Sequence, residues 1–171
     1  MENFTNETID TNQLPKFEEV TFTVLDSNYW KVTLINAFLF FLTLGVGLGV
    51  FLFFNQKFSS FLIEISVAFV VLLLFVLLFS RISFKNKAFA FRTHDVLFRH
   101  GVLATNTIII PYNRVQHVAL HERIVSRYFG LATIEIFTAG GSSSDIIIPG
   151  IQKEQAESIK QLLMGKIQKQ L

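Results

Sequence analysis

Two apolar runs dominate the pattern of the chain, Val32 to Phe54 and Phe61 to Phe79, with only Asn55-Gln56-Lys57-Phe58-Ser59-Ser60 between them. The first run carries no charge and the second carries one, Glu64. A helix rises about 1.5 Å per residue, so about 20 apolar residues match the hydrocarbon thickness of a bilayer. A helix in a soluble core needs one apolar stripe. These runs are apolar on every side, which suits lipid. The short link makes the helices antiparallel neighbours, so residues 26–80 read as a transmembrane hairpin with spans 32–54 and 61–79.

Beyond residue 80 the period changes to two. Phe89 and Phe91 alternate with Ala88, Ala90 and Arg92, and Thr93-His94-Asp95 forms a turn into Val96 to His100. Gly101 breaks that strand. Thr107 to Ile110 is a β-branched run closed by Pro111. In Val115 to His121, strict alternation puts Val115, His117, Ala119 and His121 on one face. Ile124 to Gly130 reads as a helical turn or a loop, Leu131 to Thr138 as a strand, Gly140 to Ser144 as a loop, and Ile146 to Pro149 as a last short strand. Tight turns between strands at this spacing indicate an antiparallel sheet or barrel. From Gln152 the period changes again, with Ala156, Ile159, Leu163 and Ile167 at helical spacing. The expected class is membrane α+β: the hairpin, then a β-sandwich or barrel over 84–171 capped by its C-terminal amphipathic helix.

Residues 1–25 form a polar tail. Met1 to Gln13 lack the apolar content to bury and read as disordered. Val20, Phe22 and Val24 alternate with Thr21 and Thr23, which predicts a short strand over 20–24. Asp26 and Ser27 are candidate N-caps, and Tyr29 and Trp30 stand where an interfacial aromatic belt belongs. The flank before the first helix is acidic and lacks the basic start and small-residue cleavage site of a signal peptide, so that helix is expected to stay in the mature protein. Only Lys57 lies in the link, whereas Arg81, Lys85, Lys87 and Arg92 follow the second helix and Lys31 flanks the first. Both termini are therefore expected in the cytoplasm, in the plasma membrane of the cell.

Gly45 and Gly49 lie one helical turn apart, which lets a second helix approach. Counted from the link, Gly49 stands level with Ser66 and Ala68. Two readings stay open: packing within the hairpin, or a homo-oligomer. Glu64 is an intramembrane acid, but about one turn from the outer interface it can also reach water.

The net charge of +2 hides an uneven distribution. Residues 1–30 hold six acids and one Lys, while residues 80–171 hold twelve Lys and Arg against six acids. A basic domain beside a bilayer suits anionic lipid, although solubilising charge has the same composition. Arg81, Lys85, Lys87, Arg114, Arg123 and Arg127 are the candidate lipid-contacting or partner-contacting residues. Arg123 to Phe129 mixes basic and apolar side chains as such a loop would, or covers the open end of the sheet.

The chain contains no Cys, which excludes disulfides, a thiolate nucleophile and Cys-ligated metal. His117 and His121 sit about 13 Å apart along a strand, too far to clamp one ion. Ser142 to Asp145 do not form a nucleophile elbow. No phosphate-binding loop, dinucleotide fingerprint or paired-acid motif occurs, so neither catalysis nor a cofactor is expected. Nucleic acid is not an expected partner either, because no aromatic and basic recognition motif is present.

Three strings carry a resemblance: Leu97-Phe98-Arg99-His100-Gly101-Val102-Leu103, then Ile109-Ile110-Pro111-Tyr112-Asn113-Arg114-Val115-Gln116-His117-Val118, then Arg127-Tyr128-Phe129-Gly130-Leu131-Ala132-Thr133. Together they resemble the bacterial pleckstrin-homology-like domain of YdbS-like membrane proteins. The resemblance implies a sandwich with a C-terminal helix, and a partner membrane protein carrying repeated copies of the same domain. Only one copy is visible here. The function expected is that of an interaction module docking such a partner; the alternative is binding of anionic headgroups among the membrane lipids.

Overall fold

The computed structural model describes residues 8, 10, 17–139 and 146–168. Two long helices, α1 (Asn28–Phe54) and α2 (Leu62–Asn86), are joined through a 3-10 turn at Gln56–Phe61. Their side chains are left bare along most of both helices. In water that surface would be untenable, so these are the transmembrane segments of a membrane protein. The helices meet where Phe41 lies edge-on to Phe69, with ring centroids 5.5 Å apart. Gly45 is part of this contact, since an added Cβ would stand 3.5 Å from the Phe69 ring. Gly49 is not, because nothing lies within 4 Å of its Cβ position, and Ser66 is exposed. The phenylalanine pair sets the helix spacing, so the expected meeting of Gly49 with Ser66 does not occur.

Both helices extend beyond the apolar runs at the end away from the link. An apolar run marks where lipid stops and not where the helix stops. Ser80 to Asn86 contain no Gly or Pro, so the i→i−4 ladder of α2 continues to Asn86, past the expected end of the hairpin at residue 80. Asp26 starts α1: its Oδ1 accepts the Asn28 N–H at 2.8 Å, while Ser27 makes no side-chain cap.

Among the described residues, seven strands form two sheets. The first contains β1 (Thr23–Val24), β2 (Ala88–Phe91), β3 (Asp95–His100) and β4 (Asn106–Pro111) in sequence order. The second contains β5 (Val115–His121), β6 (Leu131–Thr138) and β7 (Ile146–Gln152). A short helix α3 (Ile124–Tyr128) links β5 to β6, and α4 (Lys153–Gln168) follows β7. This is the expected α+β sandwich. Buried Val96, Phe98 and Ile110 of the first sheet meet Ile134, Ile136 and Ile148 of the second, with Ala156 and Leu163 of α4 against them. At the far end the Tyr112 hydroxyl donates to the Arg92 carbonyl at 2.7 Å. Burial, then the Asp95 carboxylate, push that phenol up to about 12.

Three local expectations change. β1 is two residues long, and Leu25 and not Val24 enters the core. In β5, Gln116 is an extra residue opposite the bond between Phe137 and Thr138, so Val115 turns inward with Val118 while His117 and His121 stay exposed. In β7 the strand continues past Pro149, because Pro149 and Gly150 together oppose Thr133. A proline with no N–H to donate is tolerated in such a bulge. The expected loop at Gly140 to Ser144, Asp145 beside it, and the tail over 1–7, 9 and 11–16 lie outside the described residues.

Strand direction positions everything that follows. β2 leaves the hairpin at Ala88 and β3 returns, so the loop 101–105 lies at the hairpin end. By the same alternation α3 and the β7–α4 junction lie there, while Thr93, Asn113 and Ala139 lie at the far end. β1 pairs with β2, so the segment before α1 reaches the same end as the segment after α2.

Candidate functional site

The last turns of α2 place Ser80, Ser83 and Lys87 on one face, at spacings of three and four residues. The first turns of α1 place Tyr29 and Thr33 opposite them. Phe79, Phe84 and Val102, from the loop after β3, complete a cavity of about 280 Å³. The loop is held there by Asn86, whose Nδ2 donates to the Gly101 carbonyl at 3.2 Å. Thr33 spends its hydroxyl on the Tyr29 carbonyl at 3.0 Å. The Lys87 ammonium has no ion-pair partner among the described residues. Burial lowers its pKa. A half-buried cation beside two serine hydroxyls, at the depth where the apolar run ends, can take one anionic oxygen cluster of phosphate size.

The rest of the predicted basic set divides. Arg81 lies over the Trp30 ring at 4.8 Å and the Phe84 ring at 5.7 Å, so its charge is held at the foot of the hairpin by cation–π contact. Lys85 is exposed on the neighbouring face of α2. Arg123 and Arg127 are exposed on α3, which packs against α1. Arg114 is not with them: it follows the far-end turn at Tyr112 and lines a groove of about 300 Å³ with Ile108, Ile109, Ile110, Pro111 and Thr138.

Three of the four histidines have a local side-chain neighbour. His117 stacks on Phe137 at 4.1 Å, His100 on Phe98 at 5.3 Å, and His121 Nε2 lies 3.6 Å from Glu135 Oε2. Sequence reasoning missed Ser80, Ser83 and Thr33. Their signal was present, since Ser80, Ser83 and Lys87 keep helical spacing, but it is visible only once α2 is carried past Phe79.

The family model for the bacterial PH domain matches residues 34–167. The transmembrane protein YdbS of Bacillus subtilis is 26% identical over 85 residues, which is 50% of this chain and 52% of that protein. The transmembrane protein YdbT of the same organism is 25% identical over 112 residues, 56% of this chain and 23% of that protein. The chain thus spans about half of one curated relative and about a quarter of the other. No solved structure matches.

Proposed function

The chain belongs to the bacterial PH domain family, and from that premise we propose that its domain is a non-catalytic binding module holding an anionic lipid headgroup at the inner face of the plasma membrane. The observation that carries this is Lys87, half-buried and without an acidic partner among the described residues, in a hydroxyl-lined cavity where hairpin and domain meet. An ammonium in that position is costly unless an anion compensates it. A phosphodiester reaching down from the leaflet supplies one. The cytoplasmic placement is supported by the pairing of β1 with β2, which brings both flanks of the hairpin to one end, and by the cations on those flanks against the single Lys57 in the link.

The test uses the full chain purified in detergent with equal phosphatidylglycerol and phosphatidylcholine, and native mass spectrometry as the readout. Phosphatidylglycerol should remain bound in preference. Lys87→Met should reduce its retention about tenfold, the scale of one hydrogen bond to a charged group. Equal retention by the variant, or no preference between the two lipids, removes the reading.

A second reading is favoured by a separate observation. β4 is an edge strand with Ile109 exposed, and the groove beside it is open. An edge strand offers backbone groups for an added strand. A partner membrane protein with repeated copies of this domain is the occupant the family suggests. Ile109→Lys should abolish cross-linking to such a partner in native membranes and leave lipid retention intact. Unchanged cross-linking by this variant places the contact elsewhere.

A further inference from the structure

Three large apolar side chains at the hairpin end of the domain are almost wholly bare: Leu103 is 92%, Ile124 91% and Tyr128 87% exposed. Of the other large apolar side chains at this end, Val24 on the edge strand β1 is 67% exposed, while Val102, Val125 and Phe129 are half-buried. Ile124 and Tyr128 are one helical turn apart, so they share a face of α3. That helix lies against α1. Leu103 stands on the other loop, next to Val102, which shares a cavity wall with Thr33 and Phe79. Those two residues mark the ends of the apolar runs, so Leu103 lies at the edge of the hydrocarbon. Arg123 and Arg127 flank the α3 pair and are themselves exposed.

We propose that Leu103 on one loop and Ile124 with Tyr128 on the other are prongs that enter the bilayer the hairpin spans, seating the domain directly on the leaflet. The occupant follows from continuity: a lipid surface already surrounds α1 and α2, and the prongs project at the level where its headgroups begin. Charge agrees, because the arginines beside the prongs match anionic headgroups. Tyrosine with an apolar body and a polar tip suits that depth. The seating stands whether or not Lys87 holds a phosphate. Its consequence is a domain of fixed orientation, with strands along the membrane normal and the β4 edge facing the aqueous phase.

The chain has no Cys, so single nitroxide labels can be placed by Leu103→Cys, Ile124→Cys, Tyr128→Cys and, as the far-end reference, Asn113→Cys. These positions are exposed, so the fold is not at risk. The full chain is reconstituted in vesicles of phosphatidylglycerol and phosphatidylcholine. Labels at 103, 124 and 128 should be several-fold more accessible to oxygen, which concentrates in lipid, than to a water-soluble nickel chelate, with the reverse at 113. Nickel accessibility equal to that at 113 overturns the proposal. So does protection from both reagents, which would mean that protein covers the prongs.

Discussion

Replacing Gly150 with alanine is expected to cost about 2–4 kcal/mol and to loosen the domain from the hairpin. Two separate terms add. Gly150 has a φ of 66°, a left-handed conformation that an L side chain rarely adopts. A Cβ there would also stand 2.4 Å from Tyr29 Cγ and 2.6 Å from Tyr29 Cβ. The inner part of the tyrosine cannot swing away, so the first turn of α1 must move. That turn is tied to the same place by two bonds, Asp26 N–H to the Gly150 carbonyl at 3.0 Å and Gln152 Nε2 to Asp26 Oδ2 at 2.8 Å, while Asp26 Oδ1 caps the turn itself by accepting the Asn28 N–H at 2.8 Å. The variant should therefore show faster amide hydrogen exchange in β7 and in residues 23–28, with the far-end turns unchanged. Tyr29→Gly in the same chain should recover part of the loss, since it removes both the Cγ and the Cβ contacts, which Tyr29→Ala would not, and leaves the backbone cost at residue 150. Additive effects of the two changes would mean that the collision is not what matters.

The same joint marks the boundary of what could be read from sequence. The hairpin is legible because lipid demands apolar residues on every face, and Val32 to Phe54 meet that with no charge and only Thr33, Asn36 and Thr43 as polar side chains. The strands were legible from their period of two, and α4 from Ala156, Ile159, Leu163 and Ile167. Bulges leave no such mark. Gln116 reads as an ordinary alternating residue, yet inserting it turns Val115 to the core and ends the shared face with His117. Pro149 reads as a stop, yet β7 runs on because its missing N–H falls in a bulge. The candidate site was half legible. Lys87 and Arg81 were found as charges near a membrane exit, but the cavity depends on α2 continuing seven residues past Phe79 and on a loop folding back from Gly101. Charge alone groups Arg114 with them. The strand directions separate it, and only pairing partners reveal strand directions.

Gly101→Ala should be the more damaging glycine change, costing more than about 3 kcal/mol, because nothing at that site can yield. The φ of 142° is one that only glycine adopts readily, and the Cβ would stand 1.9 Å from the Ala104 carbonyl oxygen and 2.9 Å from its carbon. Both are backbone atoms of the same tight loop. Relief requires opening residues 101–105, which withdraws Val102 from the cavity and Leu103 from the membrane-facing end, and breaks the bond from Asn86 to the Gly101 carbonyl. The thermal midpoint in detergent should fall, and phosphatidylglycerol retention should fall with it. Leu103→Ser separates the two effects: that side chain is bare, so the midpoint should hold while only the seating weakens. Gly47→Ala is the control within the spans, since an added methyl there meets nothing within 4 Å and a helix interior favours alanine by about 1 kcal/mol. A Gly101→Ala chain that melts with wild type would show that the loop has a second conformation of nearly equal energy, and the cavity built on it would lose its fixed wall.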